Sequence, residues 1–321
     1  MKSFSGKIGV VTGGGTGMGR ELVRQLTAEG CHVSMCDVSN ENMQQTKALA
    51  EQSAPRGTRV HAFVADVSSE RELLAFRTAV ADAHETDCVN LVFNNAGIGG
   101  GGSLIETPRE EWEKTFAVCW YGVYYGTRVF LPMLVASEEG HIVNTSSVNG
   151  FWASLGPMTS HTAYSAAKFA VKGFTEALIN DCRLHAPHVK VSLVMPGHIG
   201  TSIITNSARM LGNDPKEMSD EKLNQARERM ARAGWPLEGA TNEQVRQWLL
   251  MFADRFRDDA PMTAADAAKV ILDGVKEERW RILVGEDAKI LDRLVRENPE
   301  EAYEASFMEK LRAETPWGLV A

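Results

Sequence analysis

Tyr164 and Lys168 stand four residues apart in AYSAAKF (163–169), a run of good helix formers. Four residues is about one helical turn, so both side chains share a face. A phenol with an ammonium beside it is equipped for proton chemistry. A free tyrosine titrates near pH ~10, too high for a base at neutrality. A unit positive charge about 4 Å away, at an effective dielectric near 20, is worth roughly 4 kcal/mol, or about 3 pKa units as an upper bound. Such a tyrosine would exchange a proton near neutral pH, as a general acid or base must. Spacing alone does not separate this pair from an ordinary wet helix surface, so the surrounding elements decide.

Short β-branched runs alternate with longer helical patterns through the first two thirds of the chain. Strands are expected at 7–12, 32–37, 59–66, 89–97, 140–147 and 190–197, and helices at 16–30, 41–53, 68–84, 108–136 and 160–185. Apolar strands alternating with helices predict an α/β fold: a Rossmann-type doubly wound parallel sheet with helices on both faces. RWRILVG (279–285) supplies a seventh strand, preceded by a helix at 261–275 that Thr263 caps, with Asp266 three positions on. Residues 1–321 read as one domain. Within it, 202–262 loses the strand rhythm and reads as a helical insertion, and 286–321 as a charged, peripheral C-terminal extension.

The first strand runs into VVTGGGTGMG, whose spacing is Gly13, Gly17, Gly19 rather than G-x-G-x-x-G, because Met18 and Arg20 occupy the last glycine position. Glycines there permit a tight turn and close backbone approach, and the helix that follows offers unpaired N–H groups to a pyrophosphate. Asp37 closes the second strand about 20 residues on, where a carboxylate can accept hydrogen bonds from a ribose and repel a 2′-phosphate. Val38, Ser39 and Asn40 follow it, with no cation among them. NAD(H) is therefore favoured, with NADP(H) as the alternative.

The bulk properties limit the other classes. The chain carries a formal charge of -8 over 321 residues, which disfavours nucleic acid. Its five cysteines (Cys31, Cys36, Cys88, Cys119, Cys182) have no metal-type spacing. His61, His141, His185 and His188 read as surface or supporting residues, and His198 as the one facing a cofactor; no metal is expected. Free thiols suit a reducing compartment. With no signal peptide and no apolar span, the expectation is a soluble cytoplasmic protein without membrane contact.

TGGGTGMG (12–19), NNAG (94–97), YSAAK (164–168) and PGHIGT (196–201) occur in that order. Together they resemble the short-chain dehydrogenase/reductase family, over residues 5 to about 201 and again at 261–285. The TGxxxGxG and YxxxK spacings resemble its simple oxidoreductase branch. The resemblance implies a hydride exchanged between NAD(H) and a secondary alcohol or ketone, with Tyr164 as general acid/base. Lys168 would lower the Tyr164 pKa and bind the nicotinamide ribose. Ser147 would orient the substrate oxygen, with Ser146 as competitor. It further implies Gly13, Thr16, Gly17, Met18 and Gly19 around the pyrophosphate, Asp66 and Val67 at the adenine, Asn95, Ala96 and Gly97 along the ribose, and Ile199 and Thr201 at the carboxamide. Relatives associate through the helices at 108–136 and 160–185, so a homodimer or homotetramer is implied.

Three departures stand out. Where the family usually carries an Asn that holds a helix kink and a proton-relay water, the run AVCWYGVYYGT (117–127) has Cys119. The relay is re-routed, or turnover is slowed, or the chain is a dinucleotide-binding sensor or scaffold with weak catalysis. The connection from Ser147 to Tyr164 is about four residues longer than usual, and its Phe151 and Trp152 are candidates for substrate contact. In 202–262, Met210, Met218, Met230, Trp235, Trp248, Met251 and Phe252 either form a lid over a roomy pocket for a bulky hydrophobic or aromatic substrate or pack the insertion's helices together.

Overall fold

The computed structural model describes residues 1–156, 159–232, 234–237 and 239–315. Residues 157–158 of the long connection and 316–321 of the expected extension lie outside them. Seven strands form one sheet: β1 (Ile8–Thr12), β2 (His32–Asp37), β3 (Val60–Val64), β4 (Leu91–Asn94), β5 (Gly140–Thr145), β6 (Val189–Pro196) and, at the far edge, β9 (Arg281–Val284). Their order is β3-β2-β1-β4-β5-β6-β9, and every pairing is parallel. The expected strands and helices stand in place with ends shifted by no more than three residues.

Side-chain alternation along β1 shows how the two faces are filled. Val11 joins a core with α1 (Gly17–Ala28), α2 (Asn40–Ser53) and α10 (Ala264–Lys276). Val10 joins the opposite core with α3 (Glu70–His84), α5 (Gly122–Val135) and α6 (Thr162–His185). Period-two burial on a sheet and period-3.6 stripes on helices meet in two layers, as a doubly wound sheet requires. The strand order reverses between β1 and β4. Their carboxyl ends open into a crevice, the place where such sheets bind ligands.

A buried amide ladder ties the middle of the sheet to its helices. Asn94 Nδ2 donates to Asn144 Oδ1 at 2.8 Å and to Thr127 Oγ1 at 3.1 Å, and Asn144 Nδ2 donates to Thr175 Oγ1 at 3.1 Å. The expected helix at 108–136 is α4 (Arg109–Phe116), a π turn (Ala117–Tyr121) and α5. An aromatic file marks the inserted residue: Trp112 stacks on Phe116, Phe116 meets Tyr121 edge-on and Tyr121 stacks on Tyr125. The middle step is five residues, the spacing a π turn brings onto one face.

The insertion is helical, with α7 (Ile203–Met210), α8 (Asp220–Arg232) and α9 (Asn242–Asp258), and α9 opens with a Thr241/Gln244 capping box. It is bracketed by a two-residue parallel bridge, β7 (Ile199–Gly200) with β8 (Met262–Thr263). No helix among the described residues is long and apolar enough to cross a membrane.

The tail departs from the peripheral extension expected. α11 (Glu286–Glu297) and α12 (Ala305–Glu314) bury Leu291, Leu294, Phe307, Met308 and Leu311 with Val148 and Trp152 from the loop after β5. Most of the charged residues occupy the outer faces, Asp287 and Asp292 of α11 being buried, and the inner faces complete a core.

Candidate active site

α6 carries Tyr164 and Lys168, and its start is pinned by the glycine loop before α4. Ala163 N donates to Gly101 O and Thr162 N to Gly102 O, each at 3.0 Å, and Trp112 Nε1 donates to Thr162 Oγ1 at 3.0 Å. Gly101 has φ +60, and a Cβ on it would lie 2.4 Å from Ala163 Cβ, so only glycine allows this approach.

The end of β5 brings two serines to that helix. Ser146 Oγ donates to Lys168 O at 2.7 Å and faces the helix backbone. Ser147 begins a short 3-10 turn (Val148–Gly150), accepting from Asn149 N at 3.1 Å, and its hydroxyl also hydrogen-bonds Tyr164. Lys168 is 2% exposed. Its Nζ donates to Thr145 O at 2.9 Å and lies 5.4 Å from the Tyr164 ring centre. A Cβ on Gly97 would sit 3.5 Å from that Nζ, so a bare backbone faces the ammonium.

The electrostatics differ from the sequence expectation. Burial raises the Tyr164 pKa above its ordinary value, the nearby Cys119 adds to this, and the Ser147 hydrogen bond only partly offsets it. Burial also lowers Lys168. Desolvation penalises both charged forms, and the ammonium is engaged by a carbonyl rather than by the phenol. A tyrosine drawn toward neutrality by Lys168 alone is therefore not what this geometry produces.

Cys119 lies in the π turn, fully buried, and its thiol donates to Ile98 O at 3.1 Å. The backbone irregularity that the usual Asn accompanies is present with a thiol in its place.

Tyr164, Lys168 and Ser147 line a cavity of about 1500 Å³ that also reaches Thr16, Met18, Asn95, Gly97, Ile199 and Thr201. The turn from β1 to α1 is shaped for close approach. Gly13 has φ +68, with Ala96 Cα 2.8 Å from where its Cβ would be, and a Cβ on Gly19 would meet Gly13 O at 2.0 Å. Thr16, the cap residue of α1, makes no side-chain cap bond. Its hydroxyl accepts instead from Asn206 Nδ2 of α7 at 2.9 Å. The first turn of α1 thus presents free N–H groups to the cavity, and Asn95 Oδ1 is buried without a partner. Thr16 and Met18 at the helix N-terminus face the cavity, with the glycines packed closely behind them, an arrangement that fits a dinucleotide pyrophosphate.

Three of the expected cofactor residues have other duties here. Asp37 accepts from Gly15 N and Ser39 N, each at 3.0 Å, and so holds the glycine turn as well as ending β2. The Asp66 carboxylate pairs with Lys114 at 2.7 Å and Ser68 Oγ at 2.6 Å. Val67 lies against Gly122, where a Cβ would be 2.7 Å from its methyl. None of Asp37, Asp66 and Val67 lines the cavity. Of the remaining turn residues, Gly17 has φ +55, with its Cβ position 3.1 Å from Thr201. Ala96 N donates to Thr12 Oγ1 at 3.1 Å, tying the end of β4 to β1.

The aromatic candidates divide. Trp235, Trp248, Met251, Phe252 and Met230 line the cavity. The Trp248 and Phe252 rings are stacked at 5.2 Å, and Trp235 meets Trp248 edge-on at 4.7 Å. Met218 lines it too while packing with Leu223, Ala226 and Val245 between α8 and α9, and Met210 packs against the sheet-side core. Trp152 and Phe151 do not reach the cavity. Trp152 is 1% exposed, donates Nε1 to Ala302 O at 2.6 Å and lies against Phe307. Phe151 sits beneath Arg281. The tail offered both rings a dry surface that a loop in isolation does not reveal.

His161 was not singled out by any spacing. Its ring lies 4.7 Å from that of Tyr164 on the cavity wall, and burial lowers its pKa to about 4. His198 lines the cavity, but its Nε2 is bonded to Phe256 O of α9 at 2.7 Å. Among the described residues no cluster of three or more His, Cys, Asp or Glu could hold a metal.

A family model for short chain dehydrogenase matches residues 7–211. SadH of Mycobacterium tuberculosis is 33% identical over 296 residues, 92% of each chain. Levodione reductase of Leifsonia aquatica is 31% identical over 68% of this chain and 79% of its own. Among solved structures, a short chain dehydrogenase/reductase from Burkholderia phymatum in complex with NAD aligns with a TM-score of 0.74 at 30% identity, covering 94% of this chain and 96% of that one.

Proposed function

The chain belongs to the short-chain dehydrogenase family of oxidoreductases, and from that premise we propose that it moves a hydride between NAD(H) and a bulky, hydrophobic or aromatic secondary alcohol or ketone. One observation carries the reading: Ser147, Tyr164 and Lys168 share a wall of the cavity that continues to the glycine turn. When bound, the nicotinamide cofactor supplies or takes up the hydride. The protein's part is the proton. In reduction the Tyr164 hydroxyl donates to the oxygen as its charge develops, and Ser147 holds that oxygen within reach. Lys168, beside Gly97, would bond the nicotinamide ribose.

Asp37 at the end of β2 supports NAD(H) over NADP(H), since a 2′-phosphate there would meet a like charge. The rings of Trp235, Trp248 and Phe252 support a large apolar substrate. Tyr121 and Phe169 expose large rings on the π turn and α6, which suits a homodimer or homotetramer joined through α4–α5 and α6. The five cysteines are free, in keeping with a reducing cytoplasm.

The test is NADH absorbance with NAD⁺ and NADP⁺ in parallel against a panel of aryl, polycyclic and short linear alcohols. Tyr164→Phe should lose at least about a hundredfold in kcat, the scale of general acid–base catalysis, while NADH fluorescence titration stays unchanged. A Phe variant as active as the parent would remove Tyr164 from the chemistry. Faster turnover of short linear alcohols than of aryl ones would remove the bulky-pocket reading.

A further inference from the structure

The loop 196–201, whose Ile199 and Thr201 would hold the nicotinamide, is gripped from two sides. On one side His198 Nε2 bonds Phe256 O of α9 at 2.7 Å. On the other, Asp287 in the first turn of α11 accepts the His198 backbone N–H on Oδ2 at 2.7 Å. Asp287 is 7% exposed. A Cβ on Gly197 would lie 2.2 Å from its Oδ2, and a Cβ on Gly285 2.2 Å from its Oδ1. Two glycines therefore leave the space this carboxylate fills.

The charge itself has no counterpart. Among the described residues no lysine or arginine pairs with Asp287, and Oδ1 is buried without a hydrogen-bond partner. Burial raises its pKa above the ordinary carboxylate value, and the backbone N–H groups of His198, Ala288 and Asp287, which favour the ionised form, only partly oppose that shift. His198 offers no cation, because burial lowers its imidazole pKa. A buried carboxylate with no cation is costly. An asparagine or serine could hold the loop without that cost.

We propose that Asp287 is a positioning residue that makes the nicotinamide loop prefer the oxidised, cationic cofactor over the reduced, neutral one. The inference rests on the dinucleotide reading above. With Ile199 and Thr201 holding the nicotinamide, its oxidised form would carry a positive charge at the loop that Asp287 supports from behind, and a negative charge in a low-dielectric surround would favour it. The same loop geometry binds both redox forms, so the carboxylate's charge and its hydrogen bond are separable by mutation.

The experiment measures binding of NADH by fluorescence titration and of NAD⁺ by calorimetry, for the parent protein, Asp287→Asn and Asp287→Ala, with thermal melts to check folding. Asp287→Asn keeps an acceptor for His198 N–H and removes the charge. It should weaken NAD⁺ about fivefold or more while leaving NADH within about twofold. Asp287→Ala should loosen the loop, weakening both forms and still losing the preference for NAD⁺. Equal weakening of the two forms in both variants would reduce Asp287 to a structural prop and overturn the proposal. A parent protein that binds neither form would overturn the dinucleotide reading and this one with it.

Discussion

At the scale of single residues, the protonated tyrosine sets the direction of the pH dependence. Burial raises Tyr164, so its acid form persists beyond neutral pH. Ketone reduction, which needs that proton, should stay level from about pH 6 to 8 and decline only in alkali. Alcohol oxidation needs the phenolate, and its kcat/KM should climb throughout the same range. Flat oxidation rates between pH 6 and 9 would mean that bound cofactor and Lys168 together overcome the burial penalty. The pair Tyr164 and Lys168, the glycine turn and Ser147 were legible because each carries a local signature: a one-turn spacing, a glycine cluster, a strand end. His161 and Asp287 carry none. His161 is a lone histidine whose partner ring becomes a neighbour only once the helix start is pinned to Gly101 and Gly102. Asp287 meets His198 across 89 positions, and to sequence reasoning it is one acid among many in a charged tail. Cys119 was visible as a departure, but its acceptor, Ile98 O, follows a strand end that no pattern connects to it.

At the scale of elements, burial period identified strands and helices, because alternation and 3.6-residue stripes are dictated by which face meets the core. Loops have no period, and there the reading of Phe151 and Trp152 failed. Both rings turn from the cavity to α11, β9 and α12, burying apolar area that the pocket would have left wetter. This gives the tail a testable duty behind Ser147. Phe307→Ala removes a ring from the cluster that includes Trp152 and Val148. It should cost about 3–5 kcal/mol by urea denaturation and lower kcat with little change in cofactor affinity, since Val148 follows Ser147 directly. Loss of stability with kcat intact would show that the cluster supports the fold and not the serine. The insertion gave a mixed result for a similar reason. Large apolar residues at helical spacing satisfy both a helix hairpin and a pocket wall, and only the packing of α8 against α9 assigns Met218 to both and Trp248 to the wall.

At the scale of the whole molecule, three imidazoles held below their ordinary pKa, two of them buried in the core, make the fold sensitive to acid. Burial lowers His84 and His161 to about 4 and His141 to about 3, against about 6.5 in an unfolded chain. For His84 the neighbouring His61, Arg59 and His32 add to the effect, and its Nε2 is held by Ser34 Oγ at 2.9 Å. These folded-state values are depressed, so the unfolded chain takes up protons first. Stability is complete above about pH 6.5 and is lost as pH falls toward 4, at most roughly 2 kcal/mol per ring by pH 5. Melting temperatures between pH 7 and 4.5 should follow that slope, and His141→Asn should flatten it; an unchanged slope would place the acid sensitivity elsewhere. The seven-strand parallel sheet itself was readable from the sequence, since apolar strands alternating with helices through right-handed crossovers give a doubly wound sheet. The tail's place in it was not, because the surface it covers is made from a loop 150 residues earlier.

That long-range seat also bears on biosynthesis. A ribosome releases the chain from its amino end, and β1, β2 and β3 can pair with α1 and α2 while the rest is still being made. The Ser147 loop has no such early partner. Trp152 waits for Ala302 and Phe307, so the nascent protein would hold β1, β2 and β3 folded beside an unsupported Ser147 loop until α12 leaves the exit tunnel.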